Sequence, residues 1–146
     1  MDVSHLDRWE VRGAGVGGDL GTARRVDNAW WCGVTTGRML VVGGSQPPAD
    51  ALDVTCNYVA LTILGPNARE TIARFCALDL RSHIAPPYSF RPGSIARQPG
   101  MILVEAENRY LLLFGWAVAE YMWTVVEDAA RPRGGHPIGT EALRDA

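Results

Sequence analysis

The chain contains no lysine, so all 14 of its basic side chains are arginine. That absence removes Schiff-base chemistry, pyridoxal-phosphate anchoring and the lysine of a phosphate-binding loop together. There is no excess of positive charge either: 16 acidic residues leave a net charge of −2, and nucleic acid is a poor fit as a partner. Cysteine is scarce. Cys32, Cys56 and Cys76 are an odd number without a close pair, which argues for reduced thiols in a cytoplasmic protein and against a disulfide framework. No C-x-x-C pair is present, so no metal site is expected. The most apolar stretch, near Tyr110–Val126, is interrupted by Gly115 and Glu120 and falls short of the ~20 apolar residues a membrane helix needs. The N-terminus Met1-Asp2-Val3-Ser4-His5 is polar and does not read as a signal peptide. These features together predict a soluble protein.

What is present is enough for one domain over residues 1–146. At 47% hydrophobic content, folding a chain of this length buries roughly two-thirds of its surface without staples. Trp9-Glu10-Val11-Arg12 alternates apolar and charged residues and predicts a half-buried strand ended by Gly13. Trp30–Val34 and Met39–Val42 flank Thr35-Thr36-Gly37-Arg38 as a hairpin. Tyr58–Leu64 is the strongest strand, and its near-continuous apolar run predicts a central strand covered on both faces. After Gly65, Pro66 suits a helix start, and Ala68, Ile72, Phe75 and Cys76 recur at helical spacing up to Leu78-Asp79, with Arg69, Glu70, Thr71 and Arg74 facing water. Residues 81–93, with Pro86, Pro87, Pro92 and Gly93, read as a long connection, a functional candidate by length. Met101–Glu105 and Tyr110–Phe114 form a second hairpin, and Val118, Tyr121, Met122, Val125, Val126 and Ala129 trace an amphipathic helix stopped by Pro132. The expected class is α+β, a largely antiparallel sheet with two main helices.

Few motifs carry chemistry by themselves. Gly13-x-Gly15-x-x-Gly18 matches a dinucleotide fingerprint as a string, but no helix follows and no acidic residue stands about 20 residues on, so it reads as a turn. His5, His83 and His136 are dispersed beside loop-forming residues and read as surface histidines; no G-x-S-x-G elbow exists. Trp30 and Trp31 are adjacent, so their rings point to opposite faces of a strand, one into the core and the other either packed in its turn or presented as a stacking platform or partner contact. Asp27-Asn28 reads as a hairpin turn or as a carboxylate at a strand edge.

The run Val59–Leu64 into Gly65-Pro66-Asn67-Ala68-Arg69, followed by Ala77-Leu78-Asp79-Leu80, Phe90–Arg97 and Ala119-Glu120-Tyr121-Met122-Trp123, resembles the glycine-cleavage T-protein (aminomethyltransferase) family and the gamma subunit of heterotetrameric sarcosine oxidase. Asp2–Leu6 with Trp9–Gly13, and Pro137–Arg144 at the other end, extend the likeness over nearly the whole chain. The resemblance implies a truncated version of the T-protein N-terminal folate-binding domain. It implies that Asp27 is the counterpart of the family's catalytic aspartate, and that Trp30, Trp31, Glu105 and Glu107 supply the folate surface. Val104-Glu105-Ala106-Glu107-Asn108-Arg109-Tyr110 stands where the family has a G-Y-x-G-E run. The implied cofactors are tetrahydrofolate, with flavin only on a partner chain. The implied partner is a larger flavoprotein or folate-domain subunit, or a second copy of this chain, with neither nucleic acid nor membrane involved. The first functional expectation is therefore a small subunit of a folate- or flavin-linked complex that demethylates, or takes a one-carbon unit from, an N-methyl or aminomethyl substrate. The alternatives are a free-standing tetrahydrofolate-dependent aminomethyltransferase or demethylase, and a non-catalytic folate-binding or assembly protein.

Overall fold

A computed structural model describes residues 1–13 and 18–143. The fingerprint-like glycine string falls partly on residues 14–17 and the last family-like step partly on 144–146, both outside the described residues. Among the described residues, nine strands form two antiparallel sheets. The first joins β1 (Arg8–Arg12), β2 (Ala23–Val26), β3 (Ala29–Thr35), β4 (Arg38–Gly43) and the short β5 (Leu52–Asp53) in the order β2-β3-β4-β1-β5. The second joins β6 (Tyr58–Leu64), β7 (Phe90–Ile95), β8 (Gln98–Ala106) and β9 (Arg109–Gly115) in the order β6-β9-β8-β7. Helices α1 (Ala68–Ile72) and α2 (Ala119–Ala130) cover the second sheet, giving the expected α+β class with two sheets in place of one. Among the described residues, no helix is long and apolar enough to cross a membrane.

Strand alternation explains the layering. Leu103, Leu111 and Leu113 point from the second sheet toward Trp30, Leu40 and Val42 of the first, whereas Ile102, Leu112 and Phe114 point the other way onto Ile72 and Met122 of the helices. Both faces of β8 and β9 are therefore dry, which is why these strands read as unbroken apolar runs. Each such side chain, fully buried, contributes roughly 1.5–3 kcal/mol of transfer free energy.

Tertiary pairing overrides the local pattern at five places. β6 is covered on both faces as expected, yet it is an edge strand and not a central one. Its open side is closed by residues 1–3, through Val3 N to Ala60 O (2.9 Å) and Thr62 N to Met1 O (2.8 Å), which satisfies backbone groups an edge would leave bare. α1 stops at Ile72 instead of running to Leu78-Asp79. The chain tightens there, and Phe75 O instead accepts from Ala96 N at 2.7 Å on the β7–β8 hairpin. Thr71, expected in water, is buried. The 81–93 connection ends early, because β7 begins at Phe90 and carries Pro92 and Gly93; proline is tolerated on this outer strand, where a missing N–H breaks no central ladder.

β1 is not half-buried. Arg8 and Glu10 are buried along with Trp9 and Val11, which lie under the opposite face. Glu10 accepts from Arg38 Nη2 at 2.5 Å and from Arg12 Nε. Arg8 donates through Nη2 to the carbonyls of Ser4 (2.6 Å) and Thr55 (2.9 Å). The charges in this strand were a signature of internal pairing and not of a wet face.

Candidate functional site

The sequence-selected residues gather around the β2–β3 hairpin and the end of the β8–β9 hairpin, 75 positions apart in the chain. Asp27 and Asn28 are the two-residue turn between β2 and β3, with φ of 47° and 63°. Two successive positive φ values match the right-handed twist of the flanking strands, and Asp and Asn tolerate them better than most residues. Asp27 is exposed at the tip. Three residues on, Trp30 turns inward and Trp31 outward, as strand alternation requires. Trp31 packs beside Trp9 and Val41 on the far face of the first sheet, with the Arg24 guanidinium 5.6 Å from its ring centre.

Trp30 crosses the gap between the sheets. Its indole Nε1 donates to Glu105 Oε1 at 2.9 Å, and Arg109 Nε donates to Glu105 Oε2 at 2.9 Å. Arg25 lies 5.2 Å from the Trp30 ring centre, and the Tyr88 ring sits 5.3 Å away, tilted by 52°. Glu105 stands at an irregularity in the β8–β9 register, between Val104 and Ala106, which turns its carboxylate toward the first sheet. Glu107 is in the exposed β8–β9 turn, where its carbonyl accepts from the Tyr110 hydroxyl at 3.1 Å.

The fold thus unites Trp30 with Glu105, sets Asp27 at the tip of the hairpin bearing Trp30, and puts Trp31 on the other side of a sheet. Tyr88, Arg25 and Arg109 belong to the cluster and escaped the sequence reading. Arg25, five residues before Trp30 and across a two-residue turn, was the one with a local signal; Tyr88 is brought in by tertiary pairing, through Ala23 N to Tyr88 O at 2.7 Å. A pterin needs a carboxylate for its amino-pyrimidine edge and a flat apolar surface for its ring. Each oxygen of Glu105 already accepts a hydrogen bond, and Trp30 is only 5% exposed beneath Arg25 and Tyr88. Seating a ring there would require one of those partners to leave.

The cluster is well suited to holding two sheets in register and offers no nucleophile. The nearby Cys32 thiol has its pKa raised, first by burial and then by the charge of Glu105, so the reactive thiolate is disfavoured. Cys76 is raised by burial as well. His5, His83 and His136 are exposed and separate, as expected. Among the described residues, no three His, Cys, Asp or Glu side chains come together to hold a metal. Glu105→Leu strands the Trp30 N–H and is expected to cost about 1–3 kcal/mol, whereas Glu105→Gln keeps an acceptor and should cost about 1 kcal/mol or less. Denaturant midpoints of the two variants check this; equal losses would remove the hydrogen bond from the account.

A second concavity, of about 370 Å³, lies elsewhere, between β6, the start of α1, α2 and the tail after it. Leu61, Ile63, Trp123 and Val126 form its apolar walls, with Arg133 and His136 at the rim. Arg133 Nη1 meets Glu70 Oε2 at 2.5 Å, tying the tail to α1. None of Asp27, Trp30, Trp31, Glu105 and Glu107 lines it, whereas Gly65, Pro66, Asn67 and Ala68 of the family-like run do.

No protein-family model matches the sequence, and no curated protein matches it. The fold does match solved structures. A chain of the heterotetrameric sarcosine oxidase from Corynebacterium sp. U-96, in complex with pyrrole 2-carboxylate, superposes with a TM-score of 0.81 over 94% of this chain and 86% of that one, at 17% identity. The two polypeptides share one fold over most of each chain and are similar in length, as the two coverages require. The sarcosine-oxidase side of the resemblance drawn from the sequence is therefore present in the fold itself.

Proposed function

We propose that this chain is the small subunit of a heteromeric, flavin-linked complex that removes or transfers a one-carbon unit from an N-methyl or aminomethyl substrate. In this reading it completes and braces a larger flavoprotein or folate-domain chain and does not catalyse alone. The observation that carries the proposal is the fold match, over 94% of this chain, to one chain of a heterotetrameric sarcosine oxidase. The interior supports it: Glu105 is engaged by Trp30 and Arg109, and burial raises the thiol pKa of Cys32 and of Cys76, which disfavours the thiolate. This reading puts flavin on the partner; the dinucleotide-like glycine string of this chain leads after Gly18 into strand β2 and not into a helix, so it supplies no helix N-terminus for a pyrophosphate. The same reading puts tetrahydrofolate on the larger chain, since both carboxylate oxygens of Glu105 already accept hydrogen bonds and Trp30 is buried.

The test is co-expression with an amine-oxidising flavoprotein of the sarcosine-oxidase type. The expected result is a stable complex that releases formaldehyde from an N-methyl amine, with the lone chain inactive. Tetrahydrofolate titrated into the lone chain is expected to leave its tryptophan fluorescence unchanged. Tight binding by the lone chain, weakened at least tenfold in Asp27→Asn, would replace the proposal with a free-standing transferase in which Asp27 assists the departing amine. Asparagine is the variant to use because it keeps the positive-φ turn while removing the carboxylate.

A further inference from the structure

Of the 14 arginines, 13 lie in the described residues. Six are paired with carboxylates: Arg12, Arg38, Arg81, Arg109, Arg131 and Arg133. Arg24 and Arg25 lie over tryptophan rings. Arg8 and Arg91 donate to backbone carbonyls, and Arg69 donates to the Tyr110 hydroxyl. Arg74 and Arg97 remain. Both are exposed, and among the described residues neither side chain meets a carboxylate, a hydrogen-bond acceptor or a ring. These same two arginines line one shallow concavity of about 480 Å³, between residues 73–77, the β7–β8 turn, and Tyr121 and Val125 of α2.

Resting on the subunit reading above, we infer that this face is where the chain docks its larger partner, and that the partner presents an acidic segment to Arg74 and Arg97. A guanidinium offers a planar fork that pairs bidentately with a carboxylate, so two unclaimed forks over one concavity specify a partner carrying Asp or Glu. The concavity is open and shallow, unlike the enclosed clefts that surround small ligands, and this favours a protein segment.

The base that presents Arg97 is firm. Ala96 and Arg97 form the two-residue β7–β8 turn with φ of 49° and 64°, a conformation costing roughly 1–2 kcal/mol per residue for side chains of this kind. The turn is clamped from both sides, by Ala96 N to Phe75 O at 2.7 Å and by the Tyr121 hydroxyl to Ala96 O at 3.2 Å. Two large aromatics stand exposed nearby. Tyr121 is 48% exposed, and Trp116, 66% exposed, lies two residues past Phe114, which opposes Gly100, so it sits at the same end of the sheet as the turn. Tryptophan, tyrosine and arginine are the residues that most often carry binding energy at interfaces.

The experiment has two arms. In the first, hexaglutamate peptide is titrated into the full ¹⁵N-labelled chain. The expected result is movement of the Arg74 and Arg97 side-chain signals, with affinity at least tenfold weaker in R74E/R97E and unchanged in the charge-matched control R81E/R131E. The inference is overturned if R74E/R97E binds as the wild type does, if all arginines respond alike, or if inorganic phosphate binds there as tightly as the peptide, which would mark a simple anion site. In the second arm each variant is co-expressed with the flavoprotein. Loss of the complex in R74E/R97E alone supports the docking face. A complex that survives R74E/R97E overturns the face and leaves the subunit reading standing. Peptide binding as expected, with no complex formed even by the wild type, overturns the subunit reading and leaves an acid-binding face.

Discussion

Replacing Phe90 with alanine is expected to lower the unfolding free energy by about 3–5 kcal/mol, the usual cost of emptying a buried aromatic site. Phe90 has no solvent exposure and belongs to the cluster shared by the two sheets, with Trp30, Leu103 and Leu111. Its backbone adds to the junction, since Phe90 N donates to Gly21 O at 2.8 Å and so links β7 to the segment leading into β2. β7 and β2 are the outer strands of their sheets, and the isolated bridge between Thr22 and Ser89 joins them just ahead of Phe90. The cavity therefore opens where the sheets meet, and neither sheet can collapse into it without sliding on the other. Against the roughly 5–15 kcal/mol that holds a typical domain together, this is a large share. Urea unfolding gives the measurement. The midpoint should fall with an unchanged m-value, and Phe90→Leu should lose much less. A loss under about 1 kcal/mol would mean that the space refills and that the sheets are not locked by this ring.

Glu10→Ala is expected to cost about 2–3 kcal/mol, below the range for a fully buried ion pair because its arginine partners reach toward solvent. The carboxylate is 4% exposed, while the Arg12 and Arg38 side chains are 70% and 35% exposed. Burial alone would raise the Glu10 pKa, but hydrogen bonds from Arg38 and Arg12, with their charges, outweigh it and hold the carboxyl below its ordinary value. A carboxyl depressed in the folded state contributes stability that is complete above the unfolded pKa of about 4.3, and that contribution is lost as pH falls through the lower, folded value. Thermal midpoints measured from pH 6 down to pH 3 should therefore fall more steeply for the wild type than for Glu10→Gln. Parallel curves would show that the pair adds nothing in the folded state.

The two variants probe features of different legibility. Phe90 stood in the sequence inside a stretch read as a connection, because Pro92 and Gly93 weigh against a strand, and only its place on an outer strand makes them tolerable. Glu10 stood in an alternation that predicted a wet face; nothing local announced that Arg38, 28 positions away, would meet it. The candidate site divides in the same way. Opposite facing of Trp30 and Trp31 and the turn at Asp27-Asn28 followed from strand geometry and turn chemistry. The bond from Trp30 to Glu105, and the stacking of Tyr88 against the same indole, required both sheets to be in place.

By itself the sequence determined the β3–β4 and β8–β9 hairpins, the amphipathic α2, the covering of β6 on both faces and the α+β class, because these follow from periodicities of two and 3.6 and from the turn residues between them. Only the tertiary structure decided that there are two sheets, that β6 is an outer strand closed by residues 1–3, that α1 stops after five residues, and which arginines find partners. Those outcomes depend on pairings between segments far apart in the chain, whose energies come from packing and hydrogen bonds that no local window contains.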